Sequence, residues 1–342
     1  MRHRIERFAL QHLLARLPDA LLNRIAGGPV RFADRTLHPL LAAMMAANRG
    51  PGMETLSPEQ ARRAYGRIIA TTDAERIEMA NVRDETLVVT GGSIRVRRYQ
   101  PLGTAPGAPA ILFFHGGGMT VGDIDQYDNT ARYIAAQTQC LLFSVDYRCG
   151  PEHRFPTGVE DAIAAWRWLH DNAHMQGIDP ARVALMGDSA GGYLSAAVAM
   201  AARDRGLSAP KVQCLVYPVV DQRLVSPSIS ALGQGFGLTE PLVRWFANNY
   251  ARNEADRNDP LASPLLASSH ANLAPAIITV AGFDPLHDEG VEYAGKLRAA
   301  GVPVELLRHN DLTHAWFTMT GAVPPARAAM DETCAAVRRA LG

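Results

Sequence analysis

Residues 187–191, Gly-Asp-Ser-Ala-Gly, are the stretch whose residue types and spacing most directly indicate chemistry. They lie between a predicted buried strand over 182–186 and a predicted helix rich in small residues over 193–200. A serine on a tight strand-to-helix turn presents its hydroxyl above a sheet, and flanking glycines avoid clashes. Amide groups at the helix N-terminus can meet negative charge that develops nearby. The pattern predicts that Ser189 is a nucleophile, although a glycine-rich turn that packs a helix on a strand would also produce it.

A second glycine-rich stretch follows the predicted apolar strand over residues 110–114. There His115 is followed by three glycines, at 116–118. Consecutive glycines let the backbone approach a ligand closely and orient amides that side chains would block. Such a loop completes an oxyanion hole with the amide of Ala190, the residue after the serine. A phosphate-binding loop or a flexible turn is the alternative, but the stretch lacks both the Lys-Ser/Thr of a P-loop and G-x-G-x-x-G spacing.

The predicted acid is Asp284, which follows a predicted strand over residues 276–281. Catalytic loops emerge at the carboxyl ends of such strands, so its position suits a triad residue. Asp288 and Glu289 are expected instead to begin the next helix, where negative charge is favourable.

The predicted base is a histidine that follows the last predicted strand, which covers residues 302–307. We expect His309 to end this strand and His314 to lie in the following loop. His287 is too near Asp284 in the sequence to occupy a different loop. The serine, Asp284 and His314 then follow one another in the chain order of α/β-hydrolases.

Four motifs resemble those of the bacterial hormone-sensitive-lipase-type esterases, a branch of the α/β-hydrolases. They lie at residues 115–118, 147–156, 187–192 and 284–290. The resemblance spans roughly residues 80–340 and implies an α/β-hydrolase fold: a mostly parallel eight-stranded sheet flanked by helices, with a helical cap. It also implies that Asp284 is the triad acid and that His314, which precedes an aromatic pair, is the triad histidine.

The chain departs from the family pattern at several positions. Cys149 and Gly150 stand where Leu-Ala is usual, and Arg154 is unusual at its position. Met119 stands where an aromatic residue is common, and Asp311 where glycine is common. These departures leave the predicted catalytic residues intact and concern the shape of the substrate pocket.

The motif over residues 147–156 is predicted to support the site. Glu152, together with His153 and Arg154, would form a polar network that braces the oxyanion loop. The alternative is a solvated loop ahead of the next helix.

Three more residues are predicted to support the site. Asp188, beside the serine, is expected to point away from it and to form hydrogen bonds rather than act as the triad acid. His115 and Gly116, at the start of the glycine-rich loop, are given supporting roles as well.

The pattern of helices and strands divides the chain. Residues 1–80 are predicted as an N-terminal helical cap segment and 81–342 as the catalytic domain, with 222–262 as a second cap insertion. Residues 86–99 indicate a hairpin, and the later strand–helix alternation argues for a mostly parallel sheet. The segment 222–262 is too long for a plain crossover, so we expect a cap that excludes water and shapes the acyl pocket. An ordinary surface insertion is the alternative.

The amino-acid composition argues against several classes of binding partner. The 34 Lys and Arg residues balance 34 Asp and Glu residues, and no basic stripe is present, so no nucleic-acid partner is predicted. The four cysteines have no metal-ligand spacing, and neither a metal nor another cofactor is predicted. No uninterrupted apolar run has the length of a signal peptide or membrane span, so we expect a cytoplasmic protein without membrane contact.

Together these features predict a serine carboxylesterase that hydrolyses short- to medium-chain esters of small molecules through an acyl-enzyme. His314 would take the proton of Ser189 while Asp284 orients the imidazole. Three backbone amides would bind the oxyanion, those of Gly117, Gly118 and Ala190.

Two other functions fit the same fold. A lipase acting on longer-chain lipid esters would favour a secreted protein or a large exposed apolar lid. A non-catalytic small-ligand receptor would typically lose the triad histidine, which this chain keeps. The family resemblance also implies a homodimer formed through the last strand.

Overall fold

The computed structural model describes residues 14–47 and 50–342. Residues 1–13, on which the expectation about a signal peptide partly rests, lie outside this part of the chain. The strands are β1 (Arg31–Phe32), β2 (Arg35–Thr36), β3 (Asn81–Val89), β4 (Gly92–Gln100), β5 (Ala108–Phe114), β6 (Leu141–Val145), β7 (Ile178–Asp188), β8 (Val212–Val216), β9 (Ala276–Phe283) and β10 (Val304–Thr313).

The helices lie between and beside these strands. They are α1 (Asp19–Ala26), α2 (Pro39–Ala47), α3 (Pro58–Thr72), α4 (Asp128–Thr138), α5 (Thr157–Asp171), α6 (Ala173–Gln176), α7 (Ala190–Asp204), α8 (Pro227–Ala231), α9 (Glu240–Tyr250), α10 (Glu254–Asn258), α11 (His287–Ala299) and α12 (Pro324–Leu341). Short 3-10 helices lie at Leu14–Arg16, Met53–Thr55, Pro264–Leu266 and Trp316–Thr318.

Strands β3 to β10 form one sheet in the order β10-β9-β8-β7-β5-β6-β4-β3. The pairs from β10 to β6 are parallel, whereas β3 with β4 and β4 with β6 are antiparallel. Strands β6, β8 and β9 are buried along their whole length, as expected for parallel strands covered on both faces. The predicted mostly parallel eight-stranded sheet of an α/β-hydrolase is confirmed.

Helices cover both faces of the sheet. Side chains alternate along a strand, so Phe113 and Phe114 of β5 point to opposite faces. Phe113 belongs to the apolar core shared with α4 and α12, and Phe114 to the core shared with α5 and α7. Helix α11 packs against β8 and β9 through Tyr293 and Leu297. Two apolar layers therefore hold the strands in place.

Four parallel strands end at the same edge of the sheet, and each is followed by a predicted site residue. Strand β7 leads to Ser189, β9 to Asp284 and β10 to His314. Strand β5 leads to His115 and the glycine-rich loop. The carboxyl ends of parallel strands are where ligands bind in such sheets.

Strand β10 is longer than the sequence predicted. His309 lies within it, so the expectation that His309 ends the strand was wrong. Regular pairing with β9 does stop where His309 lies opposite Ala281, and an irregularity follows. The next two residues, Asn310 and Asp311, are types uncommon in strands, which is why the sequence concealed the extension.

A two-stranded hairpin over residues 31–36 was not predicted. Each strand has two residues, and Ala33 in the turn has a φ of +52°. Strands this short show no alternation of polar and apolar residues. The following backbone N–H, of His38, donates to the carbonyl of Asp311 at 2.9 Å. The N-terminal segment therefore contacts the strand that leads to His314.

Helices α3 and α9 each begin with a side chain that caps the first turn, Ser57 and Thr239 respectively. The Ser57 side chain accepts the N–H of Gln60, and the Gln60 side chain accepts the N–H of Ser57, which is a capping box for α3. The Thr239 side chain accepts a backbone N–H in the first turn of α9. Helices α8 to α10 lie within residues 222–262, and α9 contacts the 3-10 helix at Met53–Thr55.

Candidate active site

Ser189 occupies a sharp turn between β7 and α7. Its φ of +55° and ψ of −115° are uncommon for a residue other than glycine. Its N–H donates to the carbonyl of Val216 at 2.8 Å, which fixes the turn against β8. A Cβ on Gly187 would lie 2.3 Å from the carbonyl carbon of Gly191. A Cβ on Gly191 would lie 1.9 Å from the carbonyl oxygen of Phe114, so both glycines are required.

The side chains of Asp284, His314 and Ser189 form a continuous chain of hydrogen bonds. Nδ1 of His314 lies 2.7 Å from Oδ2 of Asp284, and Nε2 lies 3.0 Å from Oγ of Ser189. A carboxylate only accepts, so Nδ1 donates to it and Nε2 of the neutral imidazole accepts from the hydroxyl. Asp284 is fully buried, and its other oxygen accepts the N–H of Leu286 at 2.8 Å. The structure thus brings these three predicted residues into contact.

The glycine-rich loop lies beside the serine. Gly117 and Gly118 line a cavity together with Ser189. Neither glycine N–H donates to an acceptor within the described chain. The N–H of Gly116, in contrast, donates to Oδ1 of Asp188 at 2.8 Å. Ala190 is the first residue of α7, where an N–H has no partner within the helix. Three amides, at residues 117, 118 and 190, therefore remain available to a negatively charged oxygen.

Helix α9 packs directly on this loop. A Cβ on Gly118 would lie 2.2 Å from Cγ of Phe246. A Cβ on Gly150 would lie 2.4 Å from the carbonyl oxygen of Asn249, also on α9. The close approach of α9 therefore explains one departure from the family pattern, because an alanine at Gly150 would not fit. Met119, another departure, is buried and lines the cavity.

Asp188 holds the glycine-rich loop from below. Besides the Gly116 N–H, its carboxylate accepts the hydroxyls of Tyr127 and Tyr217, at 3.2 and 3.3 Å. Burial raises the pKa of Asp188 to about 6, although these hydrogen bonds favour the charged form. The Tyr127 hydroxyl also forms a 2.8 Å hydrogen bond with that of Tyr65, on α3. Asp188 therefore links the oxyanion loop to the N-terminal segment.

His115 fixes the start of the same loop without reaching the cavity. Its ring stacks on that of Tyr147, with centroids 4.4 Å apart. The Tyr147 hydroxyl donates to the carbonyl of His115 at 2.6 Å, and Nδ1 donates to the carbonyl of Gly116 at 2.7 Å. Burial lowers the pKa of His115, which favours the neutral imidazole.

Glu152 supports the loop through a residue that the sequence did not indicate. Its carboxylate accepts two hydrogen bonds from Arg62 of α3, at 3.0 and 2.6 Å. The same guanidinium donates to the carbonyls of Thr120 and Gly150, each at 2.9 Å. Arg62 therefore joins α3 to the loop after the glycines.

The predicted network of Glu152, His153 and Arg154 is divided in the structure. Arg154 donates to the carbonyls of Asn248 and Ala251, at 2.7 and 2.9 Å, and so holds the end of α9. His153 takes part in neither contact. Glu152 thus contacts α3, whereas Arg154 contacts the end of α9.

Sequence reasoning missed Arg62, Tyr127 and Tyr217. Arg62 is one of many arginines in the chain and Tyr127 lies in a loop, and neither belongs to a recognisable pattern. Tyr217 had a usable signal, because it directly follows β8 at the edge where the site lies. Its ring centroid lies 4.5 Å from that of His314.

A cavity of about 220 Å³ opens above the serine. The N-terminal segment contributes Met45, Met53, Tyr65 and Ile68 to its walls. The segment 222–262 contributes Gln222, Leu224, Leu238, Leu242, Val243 and Phe246. The walls are mainly apolar, which suits a ligand with hydrocarbon groups.

Among residues 14–47 and 50–342, no three His, Cys, Asp or Glu side chains are grouped so that they could hold a metal ion. The same residues contain no helix with the length and apolar character needed to cross a membrane.

Comparison with known proteins places the chain in a family. Residues 111–318 match a family model described as alpha/beta hydrolase fold. The chain is similar to the carboxylic ester hydrolase LipN of Mycobacterium tuberculosis, with 40% identity over 92% of this chain and 86% of that protein. It is also similar to an ethyl acetate hydrolase of Pseudomonas putida, with 38% identity over 85% of this chain and 95% of that protein.

The fold matches solved structures as well. An ester hydrolase from the metagenome of Lake Arreo, complexed with a derivative of bipyridine phosphonate, has a TM-score of 0.84 and 38% identity. The match covers 88% of this chain and 96% of that one. The chain therefore belongs to the α/β-hydrolase family, in the branch of the bacterial hormone-sensitive-lipase-type esterases.

Proposed function

We propose that this chain hydrolyses carboxylic esters through an acyl-enzyme on Ser189, with His314 as the base and Asp284 as the residue that orients it. The observation that carries the proposal is the unbroken hydrogen-bond chain, 2.7 Å from Asp284 to His314 and 3.0 Å from His314 to Ser189. The names of the relatives, carboxylic ester hydrolase and ethyl acetate hydrolase, support an ester as the substrate.

In the first half of the reaction, Nε2 of His314 accepts the Ser189 proton as Oγ forms a bond to the ester carbonyl carbon. The buried Asp284 carboxylate stabilises the imidazolium that results. The carbonyl oxygen becomes an oxyanion, and the free amides of Gly117, Gly118 and Ala190 bind it. These hydrogen bonds strengthen as the tetrahedral state forms and therefore lower the barrier.

The tetrahedral state then collapses: the imidazolium of His314 gives its proton to the leaving alkoxide oxygen, and the alcohol departs. The acyl group stays on Ser189. Water then loses a proton to His314 and attacks the acyl carbon through the same oxyanion geometry. The serine recovers its proton, and the carboxylic acid is released.

The substrates in this proposal are esters with short to medium acyl chains. The cavity of about 220 Å³ is small beside the 300–1,000 Å³ typical of sites for drug-sized ligands. Its mainly apolar walls favour unbranched hydrocarbon groups over charged ones. A long lipid chain would need the helices around the cavity to move apart.

We assign residues 1–80 and 222–262 to a cap and residues 81–342 otherwise to the catalytic domain. Met45 and Met53 from the first segment line the cavity together with Leu238 and Leu242 from the second. A cap built from both segments excludes water from the oxyanion and limits acyl length. Residues 1–13 and 48–49 of this assignment lie outside the described chain.

The homodimer is also part of this proposal. Strand β10 lies at the edge of the sheet, where a second copy of the chain could pair with it. Sedimentation velocity would give twice the 37.0 kDa of one chain for a dimer. The cytoplasmic location and the lack of nucleic-acid and membrane partners stay predictions from composition.

The direct test replaces Ser189 with alanine. Turnover of p-nitrophenyl butyrate by Ser189→Ala should fall by on the order of a million-fold, as in subtilisin. Ser195→Ala is the matched control, because Ser195 lies on α7, directly after the Ser189 turn, and among the described residues its hydroxyl donates only to the carbonyl of Gly191. The control should keep activity within a few-fold. Ester turnover by purified Ser189→Ala at the wild-type rate would exclude the assignment.

A further inference from the structure

The carboxamide of Gln222, in the wall of the cavity, lacks a hydrogen-bond partner within the described chain. Gln222 lines the cavity and is 4% exposed. Its backbone N–H donates to Oγ of Ser263 at 2.9 Å. Its carboxamide, however, forms no hydrogen bond with any residue of 14–47 or 50–342, although it carries two donors and an acceptor.

The other polar side chains in the wall are either paired or enclosed. Ser189 and His314 form a hydrogen bond with each other. Asp188 accepts three hydrogen bonds, and the Tyr65 hydroxyl forms one with the hydroxyl of Tyr127. The Thr313 hydroxyl is also unpaired, but protein atoms enclose it completely, so no ligand can reach it. Gln222 is therefore the side chain in this wall that has hydrogen-bonding capacity to offer.

The loop that carries Gln222 is fixed on both sides. The buried carboxylate of Glu289 accepts the N–H groups of Val220 and Asp221, at 2.7 and 3.3 Å. The Asp221 carboxylate in turn accepts two bonds from the Arg223 guanidinium, at 2.9 and 2.7 Å. The backbone of Gln222 is consequently held in place, and because the residue is only 4% exposed, its side chain lies in the wall of the cavity rather than in solvent.

A buried amide without a partner is unfavourable, so water or a ligand must satisfy its hydrogen-bonding groups. A bound hydrocarbon chain would displace that water and leave the amide unpaired, whereas an oxygen on the ligand would replace it. No lysine or arginine of the described chain lines the cavity, so an anionic group would be buried without a cation. The chemistry that fits is an uncharged oxygen.

We propose that Gln222 recognises a hydroxyl, ether or second carbonyl group on the natural ester, at a position separate from the ester that is cleaved. This proposal rests on the proposed function, because it concerns the same cavity. The natural substrate is then an oxygenated ester rather than a plain alkyl ester. Gln222 sets that preference, and the apolar wall accepts the remainder of the molecule.

The test uses pairs of esters in which one oxygen replaces one methylene group. 2-Methoxyethyl butanoate is paired with butyl butanoate on the alcohol side, and p-nitrophenyl 5-methoxypentanoate with p-nitrophenyl heptanoate on the acyl side. For each pair, the ratio of kcat/KM is measured in wild type and in Gln222→Met, which keeps the length of the side chain and removes its polar atoms. The intrinsic reactivity of each ester cancels when the two ratios are compared.

The expected result is that Gln222→Met lowers the preference for the oxygenated ester by roughly 3- to 10-fold at one or more oxygen positions, the value of one neutral hydrogen bond. Gln222→Leu should give the same loss, and it replaces Gln222→Met if that variant does not fold. Val225→Met, an apolar change on the same loop at a residue that is 66% exposed and does not line the cavity, should leave every ratio within two-fold.

The proposal is overturned if Gln222→Met keeps every ratio within two-fold of the wild-type value while the oxygen is moved along both sides of the ester. Failure of the proposed function would look different, because the wild-type protein would then turn over neither ester of a pair.

Discussion

The backbone at Ser189 is strained, and the strain has a chemical consequence. A residue other than glycine at positive φ costs about 1–3 kcal/mol. The hydrogen bond from the Ser189 N–H to Val216 and the packing of α7 compensate for this cost. In return, the turn places the serine hydroxyl and the Ala190 amide beside the same cavity. An unstrained strand-to-helix connection would direct one of them elsewhere.

Gly118 provides a test of the oxyanion hole at the residue scale. Gly118→Ala puts a Cβ 2.2 Å from Cγ of Phe246 at a φ of +57°, so the loop must shift. We expect kcat to fall by about 100-fold or more, the usual cost of losing one oxyanion donor. Steady-state kinetics with p-nitrophenyl butyrate measures this loss.

Gly206→Ala is the control for backbone strain alone. Gly206 has a φ of +63°, and no heavy atom lies within 4 Å of the place its Cβ would occupy. Its alanine variant should lose about 1–2 kcal/mol of stability and keep its activity. If Gly118→Ala kept full activity, the amide at this position would not be an oxyanion donor.

Because burial raises the pKa of Asp188, we expect the stability of the protein to depend on pH. Burial raises its pKa from 3.8 to about 6 in the folded protein. A carboxyl with a raised pKa contributes stability that is fully present below about 3.8 and is lost as the pH rises through about 6. Between these limits, the free energy of unfolding of wild type should fall relative to Asp188→Asn by on the order of 3 kcal/mol. Urea unfolding on both sides of this range measures the change.

The comparison has a non-titrating control. The difference in unfolding free energy between wild type and Ser195→Ala should not depend on pH, because that substitution removes no titratable group. If the difference between wild type and Asp188→Asn were equally independent of pH, the account of Asp188 as a carboxyl destabilised by burial would be wrong.

At the element scale, Arg62 fastens helix α3 to the oxyanion loop. Its ion pair with Glu152 is half exposed, with 54% of the Glu152 side chain accessible, and such pairs contribute about 0–1 kcal/mol. Its bonds to the carbonyls of Thr120 and Gly150 matter more, because their loss leaves two acceptors unpaired. We therefore expect Arg62→Met to lose about 1–3 kcal/mol and to lower kcat/KM, while Glu152→Gln changes both little.

Unfolding free energies and kcat/KM of the two variants provide the measurement. Equal damage from Glu152→Gln and Arg62→Met would show that the ion pair, rather than the carbonyl contacts, holds the helix in place.

The elements differ in how far the sequence could predict them. Strand β5 and helix α7 could be predicted, because the pattern of apolar residues in each extends over several consecutive residues. The hairpin at residues 31–36 and the end of β10 owe their form to partners distant in sequence, such as the bond from His38 to Asp311. Arg62 could not be recognised because its three acceptors come from segments about 60 to 90 residues away.

At the scale of the whole molecule, the position of the candidate site follows from the sheet. Once the parallel order is known, Ser189, Asp284 and His314 must emerge at one edge, because each directly follows a strand. The sequence therefore predicted which residues meet. It could not predict the cavity, because its walls combine two segments whose approach depends on packing between α9 and the N-terminal helices.

The cavity predicts a limit on substrate length. Because it holds about 220 Å³ and helices enclose it, p-nitrophenyl butyrate and hexanoate should be hydrolysed fastest, and the palmitate at least ten-fold more slowly. Initial rates across the ester series measure the limit. A rate that increased toward the palmitate, and rose further once the ester formed micelles, would indicate a lipase instead.

The most direct test of the central claim is covalent labelling with diethyl p-nitrophenyl phosphate, followed by peptide mass spectrometry. The reagent phosphorylates a serine that a neighbouring base has activated, and it releases p-nitrophenolate. We predict that activity is lost in proportion to one phosphoryl group per chain, located on Ser189, and that Ser189→Ala and His314→Ala take up little or none. Loss of activity with the group on another residue, or equal labelling of His314→Ala, would contradict the account.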